Sequence, residues 1–243
     1  MLYLSPSTQE QNYYVTGGTE EYYMNLLADA MEPYLISSGI QYVRNRPEMT
    51  AASSIRQANA GEYDFYLALH SNAAGEGNYG NIRGIIAFYY PGSSEGKRAA
   101  ELFAENLRDI YPLPDRVRTE ATTHIGEVAK SRFPAVLIEI GYHDNEEDAL
   151  WIESHITALA QNLVMSLTEY FGLPFIWPMD PLSGRVQVVS GGLRLHSRPG
   201  KGAPVIAVIP NGEQVRIFGQ WQGWYVVHWQ ERVGYAAAQF LEV

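Results

Sequence analysis

Two short stretches carry side chains that can do chemistry. In LALHSNAAG, residues 67–75, an apolar run closes on His70, followed at once by Ser71 and Asn72. In PAVLIEIGYHDN, residues 134–145, Glu139 interrupts an apolar run and His143 follows it in the next loop. A neutral imidazole is a metal ligand or a proton carrier, but a lone histidine after a strand is more often an ordinary polar residue, so His70 needs companions. Glu139 says more. Alternation puts its carboxylate inside a buried strand, where the ionised form is costly unless a charge or a metal compensates it. Glu20 and Glu21 form a third group, opening a helix behind Thr19, a good N-cap residue. For Glu20, capping and the helix dipole are sufficient explanation.

These residues need a frame that brings strand ends together. The first part of the chain alternates short apolar strands (LYLS, IQYVR, DFYLALH, GIIAFYY, AVLIEIG) with helical stretches near 20–38, 96–110 and 146–171. Tyr23, Leu27, Ala30, Met31 and Tyr34 share one face of the first helix, as a 3.6-residue period requires. Strands alternating with amphipathic helices predict an α/β fold, a mostly parallel twisted sheet with helices on both faces. Ligands of such sheets gather at the carboxyl ends of the strands, which is where Ser5 to Gln9, His70 with Asn72, and Glu139 through His143 fall.

Around FGLPFIWPMDPLSGR, residues 171–185, prolines and glycines interrupt the last helix, and the texture changes to short strands and tight turns. The expected division is residues 1–176, a linker at 177–184, and a small all-β barrel at 185–243. Asn211–Gly212 and Gln222–Gly223 sit between alternating runs as hairpin turns do. The chain has 243 residues, a net charge of −10 and no cysteine. Disulfides and thiolate chemistry are thereby excluded, and any metal must sit on histidine and carboxylate. The acidic balance argues against nucleic acid as a partner. Residues 185–243 differ, with six Lys and Arg against three Asp and Glu. No run is long enough to insert in a membrane, and MLYLSPSTQ has no basic or long apolar segment of a secretion signal.

The order of motifs resembles the zinc-dependent N-acetylmuramoyl-L-alanine amidases of the amidase-3 type. The carrying residues are EYYMNL with Glu21, HSN with His70, the downstream Arg83–Gly84, and PAVLIEIGYHDN with Glu139. The resemblance spans residues 1–173, and the last motif is the most specific. The family's first histidine, in D-P-G-H after strand one, is missing: this chain reads SPSTQ, so the position falls on Thr8 or Gln9. The segment GLRLHSRPGKGAPVIAVIPNGEQVRIFG with WYVVHWQERVGYAAAQFLEV resembles bacterial SH3-type cell-wall domains, with Arg194 in place of that family's usual asparagine.

The resemblance implies an enzyme of endolysin or autolysin type acting at the bacterial cell wall. It would bind peptidoglycan and cut the amide between N-acetylmuramic acid and L-alanine with zinc-activated water. Glu21 and His70 would hold Zn2+ with either Gln9 or His143, and Glu139 would be the general base. Asn72, Arg83, Lys130 and Arg132 are the expected substrate-binding residues, with Lys130 or Arg132 near the oxyanion. The rival readings are a wall-binding protein with this fold and a dead metal site, and a zinc peptidase that cuts within the stem peptide.

Overall fold

A computed structural model describes all residues from Met1 to Val243. The chain divides into two compact units: the first is Met1–Met31 with Tyr42–Leu167, the second Glu32–Gln41 with Thr168–Val243. Residues 177–184 lie inside the second unit.

The first unit is built on a six-stranded sheet. Its strands are β1 (Leu2–Pro6), β2 (Tyr42–Arg44), β3 (Phe65–Asn72), β4 (Ile85–Tyr89), β5 (Val117–Ala121) and β6 (Ala135–Tyr142), in the order β2-β1-β3-β6-β4-β5. All neighbours run parallel except β4 and β6. The central strands FYLALHSN and AVLIEIGY are nearly continuous apolar runs because both of their faces are covered. Helices α1 (Glu20–Ser37), α2 (Ala51–Ala60), α3 (Ser94–Arg108), α4 (Gly126–Ala129), α5 (Glu146–Ser154) and α6 (Ile156–Phe171) complete the α/β pattern. Thr50 and Ser53 cap α2 reciprocally, and Ser93 and Asn145 cap α3 and α5 through their side chains. The single helix expected over 146–171 is two, because the chain leaves helical geometry at His155, whose Nδ1 meets the Trp151 carbonyl oxygen.

One face of this sheet explains where the polar residues meet. Parallel register sets Ser5 beside Ala68 and His70 beside Glu139, so with period two Tyr3 and Ser5, Tyr66, Ala68 and His70, and Ala135, Leu137 and Glu139 share a face. Its lower part is an apolar cluster of Tyr3, Tyr66, Ala68, Ala135 and Leu137 packed with Ala58 of α2 and Val128 of α4. At the carboxyl ends the same face turns polar at Ser5, His70 and Glu139.

The second unit carries a seven-stranded antiparallel sheet of β7 (Leu182–Val186), β8 (Gly192–His196), β9 (Val205–Pro210), β10 (Gln214–Trp221), β11 (Trp224–Trp229), β12 (Arg232–Ala237) and β13 (Leu241–Glu242), in the order β13-β7-β10-β11-β12-β8-β9. Val186, Leu193, Leu195, Ile209, Val215, Ile217, Val227 and Ala236 form its core. Gln222 and Gly223, both at positive φ, make the tight hairpin that pairs Trp221 with Trp224. Asn211–Gly212 is not a hairpin turn: β9 pairs with β8 and β10 with β7 and β11. Its polar groups serve β7 instead, with Asn211 Oδ1 accepting from the Val188 amide and the Gly212 amide donating to the Val186 carbonyl.

Candidate active site

His70 is 7% exposed and is held between two carboxylates. Its Nδ1 lies 2.8 Å from Oε1 of Glu20, and its Nε2 lies 2.9 Å from Oε2 of Glu127. Gln9 joins on the Nδ1 side, its amide 3.2 Å away, and Asn12 donates to both Gln9 (3.1 Å) and Glu20 (2.5 Å). On the Nε2 side, Oε1 of Glu127 accepts from the hydroxyls of Ser5 (2.9 Å) and Tyr66 (2.8 Å). Glu139, beside His70 in register, has a shielded Oε2 with no hydrogen-bond partner. Ser5, Gln9, His70, Glu127 and Glu139 line one cleft of about 520 Å3, walled on its apolar side by Ile55, Ile125 and Leu137.

Electrostatics separates the three carboxylates. Burial alone would raise all of them. For Glu20 and Glu127 the hydrogen bonds and charge of His70 outweigh burial, so both are lowered from the usual carboxylate range. Burial by itself would lower His70, but the hydrogen bonds and charges of Glu127 and Glu20 raise it well above its ordinary value. Glu139 makes no such bond. Burial pushes it up to about 7; the charge of His70 opposes this and the charges of Glu20 and Glu127 add to it. A carboxyl poised near neutrality in a cleft is suited to proton transfer.

The structure brings together Gln9, His70 and Glu139 and leaves other expected residues elsewhere. Glu20 faces His70; Glu21, one residue on and so rotated about the helix axis, bonds to Asn25 of its own helix (3.2 Å). The capping reading of Glu20 gives way to its burial at 1% exposure against His70. His143 is buried on another group: Nδ1 meets the Ser71 carbonyl oxygen at 2.9 Å and the ring stacks on Tyr14. Asn72 Oδ1 accepts from the Ala73 amide, and Arg83 is held by Glu147 and by Asp148 at 2.8 Å. Lys130 and Arg132 are exposed, and the Arg132 guanidinium donates to the Asn59 carbonyl oxygen at 2.7 Å. Sequence reading passed over Glu127. It sits in a four-residue helix, too short to show a period, and only tertiary packing turns it to His70.

The donor chemistry bears on a metal. No three His, Asp or Glu side chains converge as a metal-holding group. Beside Nδ1 of His70 stand the Glu20 carboxylate and the amide nitrogen of Gln9, whose oxygen accepts from Asn12. The partnerless Oε2 of Glu139 in the same cleft is a polar atom still short of a neighbour. Such a set offers zinc two donors, Glu20 and His70, against the usual three for a catalytic site.

This is an α/β protein with a histidine–carboxylate site at the carboxyl ends of a mostly parallel sheet, followed by an all-β unit. Residues 8–169 match the N-acetylmuramoyl-L-alanine amidase family, and residues 191–242 match the bacterial SH3 domain. The chain belongs to the N-acetylmuramoyl-L-alanine amidase family. No curated protein sequence matches it. Among solved structures it is similar to the N-acetylmuramoyl-L-alanine amidase AmiC2 of Nostoc punctiforme, at 17% identity and TM-score 0.63, covering 70% of this chain and 96% of that one. The catalytic domain of the amidase CwlV from Bacillus (Paenibacillus) polymyxa var. colistinus is similar at 16% identity and TM-score 0.61, covering 71% and 98%. The catalytic domain of the CD27L endolysin targeting Clostridia difficile is similar at 18% identity and TM-score 0.56, covering 69% and 96%.

Proposed function

We infer that this protein hydrolyses the amide bond joining N-acetylmuramic acid to the L-alanine of the peptidoglycan stem peptide, at the bacterial cell wall. The observation that carries the reading is Glu139: a shielded carboxyl without a partner, raised to about 7, in a cleft beside His70. Family membership supports the substrate class.

In this reading Glu20 and His70 through Nδ1 would hold zinc, and Gln9 would add its amide oxygen only on leaving Asn12 and turning over the amide whose nitrogen now faces Nδ1. The chemistry such an ion supplies is Lewis-acid polarisation of the scissile carbonyl and a lowered pKa for the attacking water. Glu139 takes a proton from that water as its oxygen attacks the lactyl carbonyl carbon. It then passes the proton to the departing nitrogen, so the C–N bond breaks to a carboxylate and a free L-alanyl amine. Ile55, Ile125 and Leu137 keep one wall of the cleft apolar, which strengthens electrostatic interactions within it. Residues 185–243, with six Lys and Arg against three Asp and Glu, would hold the chain to the anionic wall and raise the local substrate concentration.

One observation favours a second reading, a wall-binding protein with this fold and no turnover: no third His, Asp or Glu completes a metal-holding group. Mass spectrometry of products released from purified sacculi separates the readings, using full-length protein after chelation and after zinc replacement. Zinc-dependent release of peptides beginning at L-alanine, lost in Glu139→Gln, is the expected result. No release in either state supports the binding protein, and new termini inside the stem peptide support a peptidase.

A further inference from the structure

We propose that the second unit carries a receptor for the carboxylate end of a peptide, a cleft in which the guanidinium of Arg216 and the imidazole of His228 take the carboxylate oxygens. The site is independent of the catalytic cleft. It rests on the wall-holding role given to residues 185–243 only for where such a peptide is met. The cleft encloses about 380 Å3, and its polar lining comes from Ser183, Gln214, Arg216, His228 and Gln230, with Phe218 among them.

Strand register assembles this cluster. Val215, Ile217 and Val227 belong to the core of the all-β unit, so the alternate residues Gln214, Arg216 and His228 lie on the opposite face of their strands. Arg216 of β10 stands opposite Ser183 of β7 on one side and opposite His228 of β11 on the other. The pairing of β10 with β11 shifts between Ile217 and Gly219, which makes Phe218 the extra residue of a bulge, and a bulge re-aims the side chain it carries. The Phe218 ring lies 4.2 Å from the His228 ring, centroid to centroid, and the Arg216 guanidinium sits over it at 4.8 Å.

Two groups in the cluster lack a polar partner within the chain. Arg216 is exposed, lies on Phe218 and forms no ion pair. The Glu213 carboxylate has its own donor, Nε1 of Trp229 at 3.3 Å, and does not neutralise it. A guanidinium held by its face keeps its edge of N–H groups open, and that edge matches the two oxygens of a carboxylate. The second group is Nε2 of His228, shielded from water and without a hydrogen-bond partner. Burial, and then the charge of Arg216, hold this imidazole down to about 4, so it is neutral at pH 7. A neutral imidazole takes either tautomer, so an arriving anion can draw the proton to the nitrogen it meets. The side-chain amides of Gln214 and Gln230 offer both donors and acceptors, as a peptide bond requires, whereas a phosphodiester presents acceptors alone. The lining therefore favours a peptide behind the carboxylate.

The test titrates the full chain with N-acetyl-alanyl-alanine, with its C-terminal amide and with dimethyl phosphate, using calorimetry and NMR of the His228 ring. The free acid should bind and shift the His228 resonances, and the amide should bind about tenfold or more weakly. Arg216→Gln should weaken binding of the acid by about 10- to 100-fold, and His228→Phe by about 3- to 10-fold. Equal binding of acid and amide, or tighter binding of dimethyl phosphate than of the acid, would overturn the carboxylate assignment. No binding by wild type, or wild-type binding in both variants, would overturn the site. Thermal melts establish folding, and should His228→Phe fail to fold, Arg216→Gln at its exposed position decides. Retention on purified sacculi then locates the ligand. Weaker retention of Arg216→Gln supports wall peptides as its source, and equal retention with dipeptide binding lost overturns that source. Release of L-alanyl peptides by the same samples reports on the catalytic reading separately.

Discussion

Two carboxylates stand in the same sheet-and-helix unit, one fully buried and one half-buried with a shielded oxygen, and their surroundings are opposite. Asp148, fully buried, receives four donors: Arg83 Nε (2.8 Å) and the Tyr111 hydroxyl (2.7 Å) on Oδ1, the Gly84 amide (3.2 Å) and the Tyr142 amide (3.0 Å) on Oδ2. Glu139 has a shielded oxygen with none. Asp148 ties the turn before β4, the end of β6 and the start of α5 together, and its desolvation is met by charge-assisted bonds. Glu139 leaves its desolvation unmet and its proton held to about pH 7. Burial of a carboxylate therefore does not by itself raise it toward neutrality: Asp148 is satisfied by its donors, and Glu139 is left with a shielded oxygen unbonded.

The comparison breaks most readily at activity. Replacing Glu139 with Gln should lower turnover of muropeptide substrate by about 100- to 10,000-fold while the protein stays folded. Loss of activity accompanied by loss of the folded state would instead make Glu139 structural, like Asp148. Replacing Asp148 with Ala should do the reverse, costing about 3–5 kcal/mol in denaturant melts by leaving the Arg83 charge without its buried partner. Specific activity of the fraction that remains folded should hold.

The pH dependence of stability sharpens the difference further. Glu139 rises from 4.5 to about 7 on folding, so its favourable contribution is whole below about pH 4.5, declines as pH rises, and is gone once pH passes about 7. In metal-free protein at pH 8, Glu139→Gln should therefore be more stable than wild type, by about 1–3 kcal/mol after allowance for its partial exposure. Chemical denaturation at pH 5 and pH 8 checks this, and a gain that is equal at both would contradict the assignment. The smallest effect is expected at the neighbouring helix position: Glu21→Gln should change zinc affinity within about twofold, where Glu20→Gln weakens it by about tenfold or more. A larger loss at Glu21 than at Glu20 would reverse the placement of the helix face.

Much of this was legible from residues alone. The apolar runs around His70 and Glu139 mark central parallel strands, and Glu139 stands out because a charge within such a run has no local explanation. Glu20 and Glu21 were distinguishable only by which of them the helix turns inward. Thr19 made capping a sufficient account of Glu20, and the resemblance of EYYMNL to the amidase-3 pattern pointed to Glu21. The short helix holding Glu127 had no periodicity to read. In the β unit, Asn211–Gly212 looked like Gln222–Gly223, yet only the latter closes a hairpin, because strand pairing beyond the turn decides what a tight turn joins.

Sequence determined the types of side chain available: no thiol, a histidine and a glutamate at the ends of two buried strands, and an amide where a histidine ligand was expected. Those follow from composition and from the period of two that places alternate residues on one face. Tertiary structure decided which of them meet. Parallel register set His70 beside Glu139, the rotation of α1 chose Glu20, and the docking of α4 on the sheet delivered Glu127 to the far side of the imidazole. Pairings between groups 50 and 57 residues apart depend on how helices pack across a sheet, which local sequence does not encode.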